Sequence, residues 1–437
     1  MKDFLLGVST AAFQIEGDDG TQGRGKSVWD SYCERPGVIH NNENAKVTVN
    51  HYENYKEDVA LLSNLGVDAY RFSTSWSRIF PQGIGQINQK GVDFYDRLID
   101  GLLEKNIEPF LTLYHWDLPQ ALSNCGGFQN PDFPKWFAEY ADFVVKHYGD
   151  RVKKYCTFNE PINAIHSSYY AGVFAPGYRL NDEQVLWCIH HMHMAHFKAS
   201  EIIRANNGVS GIAMSTFEQY PAVLTKKCID VARGQFFQRD LLSESIDLYM
   251  DPIHLGHYPE RILKRFPDFA EKTQDTRNLL EKISTDYIGF NTYSGMPILE
   301  NGEEAKRPAG VPCSTLGSIL DSNGLYWGTR FLTERYNQPL YILENGIACA
   351  DWVSNDGKVH DTGRVDFLKE SLSVVEKLKQ EKIDIRGYFV WSLMDNFEWL
   401  RGYSCRFGLV HVDYDSLKRT PKDSYEFFRD YIKNQTC

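Results

Sequence analysis

Lys154-Tyr155-Cys156-Thr157-Phe158-Asn159-Glu160-Pro161 reads as a short buried strand that stops abruptly. Proline has a fixed φ and no N–H, so the strand does not run past Pro161. Asn159 and Glu160 therefore stand at its C-terminal tip. Pro339-Leu340-Tyr341-Ile342-Leu343-Glu344-Asn345-Gly346 has the same grammar, with apolar residues leading to Glu344 and Asn345-Gly346 ending the strand. Two carboxylates at two strand tips suit cleavage of a glycosidic bond. One protonates the leaving oxygen while the other attacks or directs water.

Similar runs occur at 4–10, 69–76, 108–115, 209–215, 287–294 and 385–393, which with 154–160 and 339–344 makes eight. Most are short and continuously apolar, the pattern of strands buried on both faces of a parallel sheet. Helical patterns alternate with them near 51–65, 91–105, 134–148, 183–206, 228–248, 324–336, 364–382 and 422–433. Within 91–105, for example, Tyr95, Leu98, Ile99 and Leu102 recur at helical spacing. Eight strands, each followed by a helix, predict an α/β fold: a (β/α)8 TIM barrel forming a single domain over 1–437. An open doubly wound sheet ranks below it, because Gly7-Val8-Ser9 leads into Ala11-Ala12-Phe13 and not into a Gly-rich phosphate loop. Helix-to-strand links such as Gly66-Val67-Asp68 are short, and several strand-to-helix links are long, as from Ala11 to Asn50 and from Gly295 to Asn323. In a barrel such long loops gather at the C-terminal ends of the strands, where both acids stand. The helix-to-strand link at 249–286 is an exception and contains helical pieces of its own.

The composition bounds the function. A net charge of −11 disfavours nucleic acid and anionic membranes as partners. No apolar run reaches the length of a membrane span, and the amino-terminal one is too short for a signal peptide. Nine cysteines without a CxxC pair fit reduced thiols and a cytoplasmic setting. Asn434-Gln435-Thr436 matches a glycosylation sequon by chance on this reading. Aromatics make up 14% of the chain, which covers core packing and leaves rings to stack on sugar faces.

The strand ends are rich in such groups. Gln14 and Glu16 follow the first, Arg71 lies on the second, and His115-Trp116-Asp117 follows the third. Asn159, Asn291, Tyr293, Trp391 and Asn396-Phe397-Glu398-Trp399 complete the set. Apolar side chains would pack there at lower desolvation cost, so these residues read as a sugar pocket.

Six motifs then carry a resemblance over the whole chain. They are Phe4-Leu5-Leu6-Gly7 through Phe13-Gln14-Ile15-Glu16-Gly17, Tyr70-Arg71-Phe72-Ser73, His115-Trp116-Asp117-Leu118-Pro119, Thr157-Phe158-Asn159-Glu160-Pro161, Ile342-Leu343-Glu344-Asn345-Gly346 and Asn396-Phe397-Glu398-Trp399. In this order they resemble glycoside hydrolase family one, the β-glucosidase family. The resemblance implies a retaining exo-β-glycosidase that hydrolyses terminal β-D-glucosyl units through a covalent glycosyl-enzyme, with no cofactor or metal. Glu344 would be the nucleophile and Glu160 the acid and then the base, with carboxyl groups roughly 5–5.5 Å apart. Arg71 and Tyr293 would hold the Glu344 pKa down. Gln14, His115, Trp116, Asn159, Asn291, Tyr293, Glu398 and Trp399 would line the sugar site, with Trp391 as its floor. Partners would be small β-glucosides or oligosaccharides, and a homo-oligomer is compatible with the sequence.

Alternatives within the family are galactosyl or fucosyl specificity and 6-phospho-glycosides. An acid at Glu398 repels a phosphate and argues for a free sugar. The myrosinase branch lacks the acid that Glu160 supplies here. A non-catalytic sugar-binding barrel and an endo-acting glycanase are the other readings. Thr292, Leu343 and Cys405 depart from common family residues. So does Ser318, where many members carry a Trp that contacts the leaving group, and that contact is not carried over. His190-His191-Met192-His193 and His196 have metal-like spacing, but they lie on an amphipathic helix and read as packing.

Overall fold

All eight expected strands close on one another in the computed structural model, which describes residues 4–18, 20–215, 218–280 and 285–435. Met1 to Asp3, residues 281–284 of the 249–286 link and Thr436 of the sequon lie outside these ranges. The strands are β1 (Leu5–Ser9), β2 (Ala69–Ser73), β3 (Glu108–Tyr114), β4 (Lys154–Asn159), β5 (Val209–Ser215), β6 (Tyr287–Asn291), β7 (Leu340–Asn345) and β8 (Ile385–Trp391). They form a closed parallel barrel in chain order, β1 pairing with both β2 and β8. Outside it lie α1 (His51–Leu65), α2 (Gln89–Glu104), α3 (Phe133–Tyr148), α4 (Asp182–Ala205), α5 (Lys226–Phe237), α6 (Asn323–Tyr336), α7 (Thr362–Gln380) and α8 (Asp423–Gln435). The predicted (β/α)8 barrel is the fold.

Local signals set the helix ends. α1 stops where Gly66 turns left-handed at φ +79 and its N–H reaches the carbonyls of Leu62 and Ser63. α4 starts with Asn181 and Gln184 capping each other's backbone. The expected helix at 228–248 is corrected. α5 ends at Phe237, and a separate helix spans Ile246–His254. Apolar spacing continues through the gap, but the Ser245 hydroxyl bonds both the N–H and the carbonyl of Arg239 and competes with helical pairing. The 249–286 link does hold further helices, among them Glu260–Arg265 and Pro267–Lys272. The loop from Gly295 also contains a strand, Gly295–Ile298, paired with Glu218–Pro221.

The lower barrel interior is filled by Leu5, Ala69, Phe110, Cys156, Ala213, Tyr287, Tyr341, Leu343 and Phe389. The rings of Tyr287, Tyr341 and Phe389 meet Phe110 edge-on at 5.6–5.7 Å. Strand side chains alternate, so Arg71 rises two residues above Ala69 into the upper interior. Two ladder irregularities then alter that alternation. Cys156 pairs with Gly211 but Asn159 with Ala213, so β4 carries an extra residue. Thr157 and Phe158 both turn outward, toward His196 and Phe137, and Asn159 turns in. On β7, Ile342 pairs with Phe290 but Glu344 with Asn291, so Leu343 and Glu344 both face inward.

At the same end of the barrel a buried ionic network ties the loops after β7 and β8 to α7 and to the residue that precedes α8. Lys422 bonds Asp351 (2.5 Å) and Asp395 (2.7 Å), Arg364 bonds Asp351 (2.7 Å), and Arg406 bonds Asp395 (2.6 Å). Among the described residues no helix is long and apolar enough to cross a membrane.

Candidate active site

The C-terminal ends of the strands enclose a cavity of about 580 Å³. His115, Trp116, Asn159, Glu160, Tyr293, Glu344, Trp391, Glu398 and Trp399 all line it. The two acids from different strands meet at its base. Glu160 follows the bulged end of β4 in a left-handed conformation (φ 46), and Trp116 and Trp399 share that region at φ 74 and 49. Three non-glycine residues in this sparsely populated region, all in one pocket wall, mark backbone held in place by its surroundings.

Glu344 is gripped on both oxygens. Arg71 Nη1 donates to Oε1 and the Tyr293 hydroxyl to Oε2, each at 2.5 Å. Burial lifts the Glu344 carboxyl above its ordinary range, against the opposing pull of Arg71 and Tyr293. Arg71 and Tyr293 do act in the expected direction, and loss of water opposes them. Burial also lifts Glu160, to about 7, and the neighbouring Glu344 charge adds to that rise. Asn291 Nδ2 donates to Glu160 Oε1 at 2.8 Å and to Asn159 Oδ1 at 3.0 Å, so both of its N–H groups are engaged beside the acids.

A polar layer lies beside the acids. Asn159 Oδ1 accepts from Arg71 Nη2 (2.6 Å) and from Asn291 Nδ2 (3.0 Å). That orientation turns its Nδ2 toward His115 Nε2, 3.1 Å away. His115 must accept there, which places its proton on Nδ1, an atom with no partner among the described residues. Burial and the nearby Arg71 keep His115 well below its usual pKa, which favours the neutral ring. The Trp116 indole donates to the Asn159 carbonyl at 3.0 Å, which leaves only its ring for the pocket.

Glu398 forms the far wall. Gln14 stands behind it, donating to Asn396 Oδ1 (3.0 Å), to the Phe397 carbonyl (2.9 Å) and to Glu398 Oε2 (3.4 Å). Burial and the two other acids push Glu398 up to about 8. Rings of Phe13, Trp29 and Trp116 pack around Trp399 at 4.6–5.9 Å and fix its plane. Gln14, Arg71 and Asn291 lie behind the wall, where they orient the groups that face the cavity.

Comparison with known proteins extends this geometry. The family model for glycosyl hydrolase family 1 matches residues 1–437. The chain belongs to that family. It is 41% identical to Beta-glucosidase A of Thermotoga maritima, over 99% of this chain and 97% of that protein. It is 40% identical to a 1,4-beta-D-glucan glucohydrolase of Thermotoga neapolitana, with the same coverage. A structure of the Thermotoga maritima β-glucosidase in complex with glucoimidazole superposes with a TM-score of 0.90 at 40% identity, covering 99% of this chain and 98% of that one. The protein is a glycoside hydrolase acting on O-glycosyl bonds.

In this family 1 enzyme several sequence-level ambiguities resolve. Glu16 is engaged by Arg78 (2.6 Å) and Tyr95 (2.6 Å) and supports the loop after β1. Asp117 is buried outside the cavity wall, where burial raises its carboxyl to about 8. The α4 histidines bond within the protein: His190 and His193 to the Tyr258 hydroxyl, His191 to the Phe128 carbonyl and His196 to Thr157. Ser318 lines the outer cavity, in a hairpin that is held to the strand-7 loop by Thr315 N–H to the Ala348 carbonyl. Sequence reading missed Asn163, whose Nδ2 donates to Glu160 Oε2 at 2.6 Å. Its place three residues after Glu160, where a helix begins, was the available signal.

Proposed function

We propose that this family 1 enzyme is an exo-acting, retaining β-glucosidase in which Glu344 is the nucleophile and Glu160 the acid and base. The observation that carries the assignment is the short relay of side chains that links the two carboxyls: Arg71 holds Glu344 and Asn159, and Asn291 holds Asn159 and Glu160. Acids joined through so few groups, with the charge of one felt at the other, suit the close spacing of retaining enzymes.

In the first step Glu160 carries the proton, because its pKa of about 7 keeps it largely protonated below neutrality. It passes that proton to the leaving oxygen while Glu344 attacks the anomeric carbon from the opposite face. Arg71 and Tyr293 orient the attacking carboxylate. Bond formation removes the charge of Glu344, and with it part of what raised the Glu160 pKa. Glu160 then ionises and takes a proton from water, which releases the sugar. Asn159 and His115 reach ring hydroxyls, Glu398 and Trp399 reach those farther round the ring, and Trp391 supports its apolar face. A glucosyl unit is the preferred one, and galactosyl or fucosyl units differ by a single contact near Gln14 and Glu398. We place the catalytic domain over 1–437 and the protein in the cytoplasm, on the strength of eight free cysteines among the described residues.

Incubation with a 2-deoxy-2-fluoro-β-glucoside bearing a good leaving group tests this. The expected result is a mass gain of one fluoroglucosyl unit on the peptide containing Glu344. An adduct on another acid removes the nucleophile assignment. Neither adduct nor turnover of an aryl β-glucoside leaves a sugar-binding barrel.

A further inference from the structure

A second cavity, of about 320 Å³, lies on the outer wall of the barrel and is lined by Gln129, Pro131, Gln184, Trp187 and His191. Gln129 and Pro131 belong to the loop that enters α3, and the other three lie in the first turns of α4. Both helices begin at the end of the barrel that carries the catalytic cavity, so the two openings face the same rim.

The lining has the chemistry of the catalytic cavity without its acids. Trp187 is half-buried, its ring packed on Phe269 at 5.1 Å and tilted against His191 at 5.9 Å. Its remaining ring surface faces the groove. His191 is 8% exposed and its Nδ1 sits 2.8 Å from the Phe128 carbonyl. A carbonyl can only accept, so Nδ1 carries the proton and Nε2 is an acceptor. Gln184 spends its oxygen on the Asn181 N–H at 3.1 Å, which leaves its NH₂ as a donor. The side chain of Gln129 makes no hydrogen bond among the described residues. None of the five lining residues carries a full charge, since burial holds His191 below its usual pKa. An aromatic face, two amides and a neutral imidazole, with no ion, match a neutral polyhydroxylated ring. They do not match a phosphate, a peptide carboxylate or a lipid tail.

We propose that this groove is a secondary binding site for neutral gluco-oligosaccharides, distinct from the catalytic pocket and stacking one sugar ring on Trp187. It would hold part of a longer saccharide beside the mouth that cleaves chain ends.

The test is saturation-transfer NMR of cellotriose with the full-length enzyme, its catalytic pocket filled by saturating deoxynojirimycin. Cellotriose signal is expected to persist, and to weaken about tenfold in apparent affinity for Trp187→Ala. Gln129→Ala, a change at a half-buried residue that ends a short 3-10 turn and makes no ring contact with Trp187, should weaken it severalfold. Hydrolysis of a small aryl β-glucoside is expected to stay at the wild-type rate in both variants. Loss of the cellotriose signal when deoxynojirimycin fills the pocket overturns the proposal. So does a persistent signal that Gln129→Ala and a folded Trp187→Ala leave unchanged. If Trp187→Ala does not fold, Gln129→Ala alone decides between these outcomes. The result is independent of which acid is the nucleophile.

Discussion

In the proposed mechanism Glu160 takes two protonation states in one catalytic cycle. Burial raises its pKa to about 7, and the Glu344 charge contributes to the rise. Turnover limited by the first step is therefore expected to hold below pH 7 and to fall about tenfold per unit above it, as Glu160 loses its proton. An acid limb should appear where Glu344 protonates, above the usual glutamate range, since burial raises that group too. Measuring kcat/KM for an alkyl β-glucoside from pH 4 to 9 checks both limbs. Glu160→Gln should lower kcat/KM for this substrate by about 10²–10⁴. It should also remove the alkaline limb, an effect that structural damage alone would not produce. The direction of these shifts was only partly legible in the sequence. Arg71 and Tyr293 could be paired with Glu344 from their motifs, but the dominant contribution is desolvation, which depends on how completely the cavity closes. Asn163 was missed for a related reason: its spacing from Glu160 is a signal that many amides share, and the fold decides which of them bonds an acid.

At the scale of elements, strand and helix order was readable because buried parallel strands are apolar throughout and their crossover helices are amphipathic. The failures have physical causes. The 228–248 expectation followed an apolar spacing that spans a break made by one serine hydroxyl. Strand ends were read a few residues long, as at 69–76, because Trp76, an aromatic of strand type, opens a short helix, Trp76–Ile79. Least legible were the ladder irregularities of β4 and β7. Strict alternation from Cys156 and from Tyr341 would turn Asn159 and Glu344 away from the barrel interior, and no residue type in either motif announces the extra residue. A second element-level constraint follows from Gly346. A Cβ there would meet the Trp391 carbonyl oxygen at 2.0 Å, and that oxygen belongs to backbone. Gly346→Ala should therefore cost about 1–3 kcal/mol. It should also raise KM for glucosides, because the yielding strand end carries Trp391. Chemical denaturation and steady-state kinetics of the same variant report the two effects separately.

For the whole molecule, the ionic network around Lys422 joins the residue before the chain's last helix to the loops after β7 and β8. Lys422→Met leaves Asp351 and Asp395 with fewer cations in a buried setting and should lose about 3–5 kcal/mol in denaturant titrations. The buried acids set the pH dependence of stability. Asp117, Glu160 and Glu398 have folded pKa values raised to about 8, 7 and 8. Buried His190, His193 and His254 are lowered to about 3, 4 and 4. The histidines favour folding as pH rises through 6.5, where unfolded imidazoles are half deprotonated, and their contribution is nearly complete about one unit higher. Above that only the acids act. The folded state then holds more protons than the unfolded one, so stability falls as pH rises from about 7.5 to about 8.5. Calorimetry at those two values should show a lower Tm at the higher pH, and Glu398→Gln should flatten the fall.

The extra residues in β4 and β7 also bear on how such a barrel can be recombined. A strand is read in two phases, inward and outward, and each irregularity is a phase shift placed just before a functional side chain. A strand exchanged between two barrels by matching hydrophobic positions would conserve the core and still deliver its acid to the wrong side if the shift were left behind. The portable unit of this active site is thus the side chain together with the irregularity that aims it.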